Sequence, residues 1–410
     1  MKYILIIGDG MADNPVPELE GKTPLDYIEK PAMDAMASAG VLGSVKNCPD
    51  PLPAGSDTAI LSIFGCDPMM CYTGRAPLEA ASTGIMLSPG DIAYRCNMAS
   101  LEDSGAPFSE RVILSHSAGS IEGAQSDALV TDLFADPAFS ELAKNAGMTV
   151  YPSCSFRHIA VQSGASAEGL ILAPPHNYLN RPITDILPQG GKNAGTLRAL
   201  MEASFKFLDK HPINQARRAE GKLPANCVWF WAEGTAVKLP SFTEKYGKTG
   251  GVISAVPLCH GIAHLIGLER VFVDGATGEL DTNYAGKVDA CVETLRLHPF
   301  AAVHVEAPDE CTHNGDLPGK LEAIRRLDAL VVAPIAEKMR AVGEDFRILI
   351  LSDHKTLTST RGHDGDPVPY LIYDSRADNK TGLRYREIDG ARGNYIANGV
   401  DLMARLFEQS

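Results

Sequence analysis

The segment RILILSDH, residues 347–354, joins an uninterrupted apolar run to a carboxylate and an imidazole. A continuous apolar run of this kind predicts a parallel β-strand that is buried on both faces. Two other runs have the same form, Tyr3–Ile7 and Phe300–Val305, and each is followed within a few residues by an acidic side chain. Since ligands of open α/β sheets bind beyond the carboxyl ends of the strands, these segments predict a metal-assisted site at that edge.

Acidic and histidine side chains near the predicted strand ends are the candidate metal ligands. They are Asp9, Asp309, His313, Asp353, His354 and His363. Asp309 and His313 are four residues apart, so one helical turn directs both toward one ion. Imidazole combined with carboxylate suits Zn²⁺ or Mn²⁺, and a carboxylate-rich set favours Mn²⁺ or Mg²⁺.

The composition is typical of a soluble globular protein, with 45% hydrophobic and 21% charged residues, and the 410 residues predict about two domains. No apolar run approaches the ~20 residues of a membrane helix. The N-terminal run is too short for a signal peptide. The nine cysteines are scattered and form no Cys-x-x-Cys pair, which predicts reduced thiols in a cytoplasmic protein.

A net charge of −14 argues against a nucleic-acid-binding protein, which would present a basic face. It is compatible with a small anionic substrate, provided that metal ions, arginines or helix N-termini make a local cationic site. We therefore expect a small metabolite as the partner, with neither nucleic acid nor membrane. The sequence leaves the oligomeric state undetermined.

Strands and helices alternate along most of the chain, which predicts an α/β fold with a mostly parallel sheet. The predicted strands are Tyr3–Ile7, Cys227–Trp231, Arg270–Val273, Phe300–Val305, Arg347–Leu351 and Val368–Tyr373; the predicted helices are Pro31–Ser38, Ala194–Asp209, Tyr284–His298, Leu317–Val342 and Tyr395–Glu408. Between these parts the pattern is shorter and more mixed. We interpret residues 92–225 as a smaller α+β domain inserted into a discontinuous core of residues 1–91 and 226–410.

Ser56 is the candidate nucleophile. It follows Gly55 in a turn just before the helical pattern of Ala59–Phe64. A helix N-terminus favours an alkoxide or a bound phosphate, and a metal on the hydroxyl oxygen would lower its pKa. Serine is also a favoured N-cap whatever the function, so taken alone this position indicates a cap as readily as a nucleophile.

Six short motifs occur in an order that resembles a known family. They are Gly8-Asp9-Gly10, Pro53-Ala54-Gly55-Ser56-Asp57, Tyr72 to Ala80 (YTGRAPLEA), Val305 to Asp309 (VEAPD), Ser352-Asp353-His354 and Asp366-Pro367-Val368-Pro369. Together they resemble the archaeal-type cofactor-independent phosphoglycerate mutases of the alkaline phosphatase superfamily. The stretch from His211 to Asn226 is similar to a bacterial branch of that family with proposed homoserine kinases.

The resemblance implies a glycolytic enzyme that interconverts 3- and 2-phosphoglycerate without 2,3-bisphosphoglycerate, through a phosphoserine at Ser56. It implies an alkaline phosphatase-like core with two divalent ions, Mn²⁺, Zn²⁺ or Mg²⁺. Carried over by position, one ion would be held by Asp9, Ser56, Asp353 and His354, and the other by Asp309, His313 and His363. The inserted domain would close over the core and keep water out.

The resemblance also implies cationic residues on the substrate side. They are Arg75, Arg157, His158, His176 and Lys248. The chain departs from the family pattern in this region: Glu233 stands where the family has Gln, and Thr249 where it has Lys, with Lys248 adjacent.

These departures keep two rivals open. One is another phosphotransferase or phosphatase on the same metal site, such as a homoserine kinase-like enzyme. The other, of a different class, is a non-catalytic metal-binding protein. Turnover of 3-phosphoglycerate by the metal-loaded protein discriminates the first rival, and metal content discriminates the second.

Overall fold

The computed structural model describes residues 1–153 and 155–408. The chain divides into two compact units. The first combines Met1–Tyr72 with the chain from Lys238 onward, and the second is Thr73–Val237. The second unit is therefore larger at both ends than the insertion predicted at residues 92–225.

The elements are numbered along the chain. The strands are β1 Lys2–Gly8, β2 Val41–Val45, β3 Ile92–Leu101, β4 Val112–Ser115, β5 Met148–Tyr151, β6 Arg157–Gln162, β7 Arg181–Pro182, β8 Cys227–Thr235, β9 Gly250–Ile253, β10 Glu269–Val271, β11 Phe300–Val305, β12 Phe346–Leu351, β13 Lys355–Leu357, β14 Gly362–Asp364, β15 Val368–Asp374 and β16 Asn394–Ile396. The α-helices are α1 Pro24–Tyr27, α2 Pro31–Ala39, α3 Ser56–Ile63, α4 Pro68–Cys71, α5 Arg75–Ser82, α6 Gly123–Ala135, α7 Pro137–Asn145, α8 Ala194–Leu208, α9 Pro212–Ala219, α10 Phe242–Tyr246, α11 Pro257–Ile266, α12 Tyr284–Leu297, α13 Ala307–His313, α14 Leu317–Leu327, α15 Ala333–Val342, α16 Glu387–Gly390 and α17 Leu402–Phe407.

The first unit is built on an eight-stranded sheet in the order β10-β9-β11-β1-β12-β15-β2-β16. β1 pairs in parallel with both β11 and β12, and β15 is antiparallel to its neighbours β12 and β2. The three strands predicted from their apolar runs are thus adjacent at the centre of the sheet. Their side chains are buried along nearly their whole length, as strands covered on both faces require.

The second unit is built on an antiparallel sheet in the order β5-β6-β3-β4-β7. Strand β8 is also antiparallel and pairs with β3. β3 is the central strand and all ten of its residues are buried. Helices α6, α7 and α8 contribute to a single apolar core with this sheet. The second unit therefore combines an antiparallel sheet with helices.

Three predicted elements differ from the structure. The strand predicted at Cys227–Trp231 extends to Thr235 and pairs with β3, so it belongs to the second unit and not to the core. The helix predicted at Tyr395–Glu408 is a short strand, a 3₁₀ turn at Gly399–Asp401 and then α17. In this segment Asn398 caps the turn that Gly399 begins, and the local turn chemistry outweighs the apolar periodicity.

The long helix predicted at Leu317–Val342 is observed as α14 and α15 joined by a π-helical turn, Asp328–Val332. Pro334 lies in the first turn of α15 and lacks the N–H of a regular helix, which accounts for the interruption at this point. No helix among the described residues is both long and apolar enough to span a bilayer.

Candidate metal centre and its serine

The central strands bring three carboxylates to one edge of the first unit's sheet. Gly8 of β1 pairs with Val305 of β11, and Ile7 pairs with Leu351 of β12. Asp9, Asp309 and Asp353 follow these strand ends, and all three are buried. The edge predicted from the sequence is therefore the edge at which the acidic side chains meet.

Gly10 explains why the first strand ends in Gly-Asp-Gly. Its φ of +60° is in the left-handed region, which glycine adopts without strain. A Cβ at this position would lie 2.4 Å from Thr356 Oγ1 and 2.7 Å from Asp309 Oδ1. At the same place, Gly10 N–H donates to Asp353 Oδ1 at 3.1 Å.

Asp309, His313 and His363 form one group of converging ligand atoms. His313 Nε2 lies 3.1 Å from Asp309 Oδ2 and 2.9 Å from His363 Nε2. Two imidazole nitrogens that face each other and a carboxylate at this spacing form a donor set that suits a divalent cation. The spacing of Asp309 and His313 on α13 is the helical turn expected from the sequence.

Asp9, Asp309 and His354 form a second group, which shares Asp309 with the first. His354 Nε2 lies 3.6 Å from Asp9 Oδ1 and 3.3 Å from Asp353 Oδ2. Asp353 thus adjoins this group. The sharing of Asp309 between the groups was not part of the carried-over ligand set.

The buried carboxylates meet a fit test for metal ions. Asp9 Oδ1 and Asp353 Oδ2 are buried and have no hydrogen-bond partner among the described residues. Burying such oxygens without compensation is costly, and a cation between them would remove that cost. Burial and the charges of Asp353 and Asp309 also raise the pKa of Asp9 well above its ordinary value. The donor set therefore fits divalent cations.

Protonation of the histidines differs across the centre in the absence of metal. The hydrogen bond to Asp309 raises the pKa of His313 to about 9, although burial opposes it. Burial lowers the pKa of His354, against the pull of Asp353. Burial would raise the pKa of Asp309, but hydrogen bonds to His313 and His363 hold it well below its ordinary value. A metal at this group therefore competes with a proton on His313.

Ser56 is the first residue of α3, and Gly55 occupies the N-cap position with no side-chain cap. Ser56 Oγ lies 3.3 Å from Asp9 Oδ2 and 3.1 Å from His354 Nε2. The side chain thus points at the carboxylate and imidazole instead of capping the helix. This geometry favours the nucleophile interpretation over the capping one.

His304 was missed as a candidate because it lies inside the apolar run of β11. It is buried, with Nε2 3.0 Å from Asp9 Oδ2 and Nδ1 3.2 Å from Ser254 Oγ. These contacts orient the Asp9 carboxylate, as partners behind a metal ligand commonly do. A histidine within an otherwise apolar strand was the available signal.

Thr356 and Asn47 were also missed. Thr356 Oγ1 donates to Asp309 Oδ1 at 2.5 Å, and Asn47 Nδ2 donates to the carbonyl of Asp353 at 2.8 Å. Both fix a candidate ligand in place. Threonine and asparagine at strand and turn positions carry no distinguishing sequence signal, since both are common in turns.

Arg75, Arg157 and His176 lie in the second unit, together with His116, which was not among the predicted site residues. The ring of His176 is 5.8 Å from that of His116. Burial lowers the pKa of both histidines, and the nearby charge of Arg157 lowers it further. In this set the arginines are cationic, whereas the two histidines favour the neutral form.

His158 differs from its predicted role on the substrate side. Its side chain is fully buried, with Nε2 2.9 Å from Ser126 Oγ and Nδ1 accepting from Ser153 N–H at 3.3 Å. Burial lowers its pKa to about 4. With both nitrogens engaged inside the core, His158 supports β6 and is not placed to contact a ligand.

Lys248 also differs from its predicted role. Its ammonium lies 4.7 Å from the ring centroid of Tyr3 and 5.2 Å from that of Phe407. Tyr3 is at the start of β1, whereas Asp9 follows the end of that strand, roughly 20 Å away at about 3.3 Å per residue. Lys248 thus lies at the opposite edge of the sheet from the candidate ligands, which argues against contact with a substrate there.

Comparisons with known proteins find relatives over the full length of the chain. The family model described as 2,3-bisphosphoglycerate-independent phosphoglycerate mutase matches residues 37–214. Proteins of that name from Methanosarcina barkeri and Methanosarcina acetivorans are 42% and 43% identical to the chain, and each alignment covers 99% of both partners.

Two solved structures share the fold. A protein from Pyrococcus horikoshii has a TM-score of 0.78 at 30% identity, over 100% of this chain and 98% of that one. The cofactor-independent phosphoglycerate mutase from Thermoplasma acidophilum has a TM-score of 0.61 at 25% identity, over 99% of both chains. These likenesses and the observed sheet confirm the predicted α/β class.

Proposed function

Because the chain belongs to the family of 2,3-bisphosphoglycerate-independent phosphoglycerate mutases, we propose that it interconverts 3-phosphoglycerate and 2-phosphoglycerate through a phosphorylated Ser56. A mutase that uses no bisphosphate cofactor needs an acceptor on its own chain. The position of Ser56 carries the proposal: its hydroxyl lies within 3.3 Å of Asp9 and 3.1 Å of His354, at the N-terminus of α3. A helix N-terminus favours the negative charge of a phosphoserine.

The reaction would proceed in two balanced displacements. In the first, Ser56 Oγ attacks phosphorus as the bond from phosphorus to the C3 oxygen breaks; the hydroxyl proton, held toward Asp9 Oδ2, is released and the C3 oxygen gains one. In the second, the C2 hydroxyl loses its proton and its oxygen attacks phosphorus as the bond from phosphorus to Ser56 Oγ breaks, and Ser56 Oγ gains a proton. The phosphoryl group moves without net consumption of water. Catalysis of such transfers rests on positioning and charge neutralisation.

We propose that two divalent ions, Mn²⁺, Zn²⁺ or Mg²⁺, bind at this centre. Asp9, Ser56, Asp353 and His354 would hold one ion, and Asp309, His313 and His363 the other. When bound, the ions would supply charge neutralisation of the phosphoryl oxygens and activation of the serine hydroxyl. The unpartnered carboxylate oxygens of Asp9 and Asp353 support this assignment. Asp309, which contributes to both groups of ligand atoms, would keep the two sites close.

We propose further that Arg75, Arg157 and His176 bind the anionic groups of the substrate. Guanidinium groups pair with carboxylate and phosphate in a planar, two-point geometry. His158 and Lys248 are left out of this set because of the positions described above.

A coupled steady-state assay tests the proposal. Protein loaded with Mn²⁺ should convert 3-phosphoglycerate to 2-phosphoglycerate, and Ser56→Ala should abolish conversion while metal content changes little. Ser62→Ala is a matched control, because Ser62 is buried in the same helix and its hydroxyl has no hydrogen-bond partner among the described residues. Its activity should match that of the unmodified enzyme.

Absence of mutase turnover, together with phosphoryl transfer to or from another metabolite, would overturn the proposed substrate. The Glu233 departure from the family pattern makes a panel that includes homoserine with a nucleoside triphosphate a useful second arm. Undiminished turnover by Ser56→Ala would remove the serine from the mechanism.

A further inference from the structure

A buried carboxylate in the second unit has no part in the proposed chemistry. Glu79 lies one turn after Arg75 on α5 and is 8% exposed. The residues next to it on the helix, Ala76 and Ala80, pack in a small apolar cluster. An ionised carboxylate in such a place is costly unless cations and hydrogen bonds compensate it.

Two arginines provide that compensation by direct contact. Arg95 donates from Nε to Glu79 Oε2 at 2.8 Å and from its terminal nitrogen to Oε1, a two-point pairing. Arg75 donates from Nε to the same Oε1 at 3.1 Å. One carboxylate thus holds two guanidinium groups at fixed angles.

Glu79 is ionised at neutral pH. Burial would raise the pKa of Glu79, but Arg95, Arg75 and the nearby Arg157 outweigh it and lower the pKa to about 2. The carboxylate is therefore a charged acceptor for the guanidinium groups that contact it.

The two directly bonded arginines differ in what they can reach. The Arg95 side chain is 5% exposed, whereas that of Arg75 is 32% exposed. Arg95 is also held by the ring of Trp231, 4.8 Å from its guanidinium carbon, and Trp231 Nε1 donates to Asn97 at 2.9 Å. Arg95 is thus a fixed support, and Arg75 retains an accessible face.

We infer that Glu79 is a positioning residue, which together with Arg95 fixes the guanidinium of Arg75 in the orientation that binds an anionic group of the substrate. This inference rests on the proposed function, because it takes Arg75 to bind substrate. Glu79 itself touches no substrate. Its contribution is to reduce the rotamer freedom that Arg75 would otherwise lose on binding.

The test compares Glu79→Gln with Asp209→Asn in the full-length, Mn²⁺-loaded enzyme. Asp209 pairs with Arg218 in the same unit and serves as a matched loss of an Arg–carboxylate contact. Glu79→Gln should raise KM for 3-phosphoglycerate about tenfold or more, with a smaller change in kcat. Asp209→Asn should leave KM unchanged, and Glu79→Asp, which keeps the charge, should recover part of the loss.

A calorimetric titration of 3-phosphoglycerate into Ser56→Ala protein, with and without Glu79→Gln, should show the same loss of affinity in the absence of turnover. If Glu79→Gln does not fold, Arg95→Lys replaces it, because lysine keeps the charge and loses the two-point pairing. It too should raise KM.

Two outcomes separate the claims. Turnover by the unmodified enzyme with an unchanged KM in Glu79→Gln, or in Arg95→Lys where that variant replaces it, would overturn this inference and leave the proposed function standing. If Glu79 had a purely structural role, its replacement would lower thermal stability and the fraction of active enzyme without changing KM. Absence of turnover by the unmodified enzyme would overturn both.

Discussion

His304 shows how much a single side chain inside a strand can contribute to a site beyond its end. Its strand β11 is otherwise apolar, and the imidazole links Ser254 to Asp9 with contacts of 3.2 and 3.0 Å. Oδ2 of Asp9 is thereby bonded to His304, while the other oxygen, Oδ1, has no hydrogen-bond partner among the described residues. The candidate ligand Asp9 is therefore oriented by His304, which does not belong to the predicted ligand set.

We predict at this scale that His304→Ala weakens Mn²⁺ binding by about 10- to 100-fold, the usual cost of removing a partner behind a metal ligand. Calorimetric titration of metal-free protein measures the affinity. His298→Ala is the control, since His298 precedes the other end of β11 and contacts Thr249 and Glu269. Equal affinities in the two variants would show that His304 does not orient Asp9.

At the scale of the element, β6 contains a histidine whose role follows from burial. The folded-state pKa of His158 is about 4, because burial disfavours its charged form, and that of an unfolded chain is about 6.5. Between these pH values the unfolded state binds one more proton. Stability from His158 is therefore fully present above about pH 6.5 and is lost as the pH falls to about 4.

This linkage predicts that, as the pH falls from 6.5 to 4, the free energy of unfolding decreases less in His158→Gln than in the unmodified protein. The difference is up to about 3 kcal/mol. Urea unfolding followed by circular dichroism at several pH values measures it. The variant should retain KM for 3-phosphoglycerate, and parallel stability curves for the two proteins would contradict the core assignment.

At the scale of the whole molecule, metal binding should be linked to stability and to pH. A ligand that binds only the folded state, present at a free concentration of about 100 times its Kd, stabilises that state by about 2.7 kcal/mol. Because His313 has a pKa of about 9 without metal and must be neutral to ligate, Mn²⁺ affinity should rise with pH up to about 9. The rise is up to about tenfold per pH unit for each proton displaced.

Differential scanning calorimetry with Mn²⁺ and with EDTA tests the first effect, and titrations between pH 6.5 and 8.5 test the second. Titrations in buffers of different ionisation enthalpy should also reveal proton release. An affinity that does not change over this pH range would exclude His313 as a ligand.

Some elements could be predicted because local pattern and tertiary environment agree. β1, β11 and β12 are apolar throughout and buried throughout, and α2 begins at Pro31 as the helix signals indicate. Cys227–Trp231 has an equally apolar pattern, yet it pairs with β3 in the second unit. Apolar periodicity records that a strand is buried and does not record which sheet buries it.

The sequence by itself determined that three buried strands end in acidic side chains, that the fold is α/β, and which ordered motifs identify the family. Only the tertiary structure decided that Asp309 contributes to both groups of ligand atoms and that His304 supports Asp9. It also decided that His158 is buried inside the second unit and that Lys248 lies beside Tyr3, at the other end of β1 from Asp9. The reason is physical: strand burial and helical spacing are local properties of the chain. Contacts between residues as distant as Asp9 and His304, or Glu79 and Arg95, depend on how strands and helices pack and on which partners compensate a buried charge.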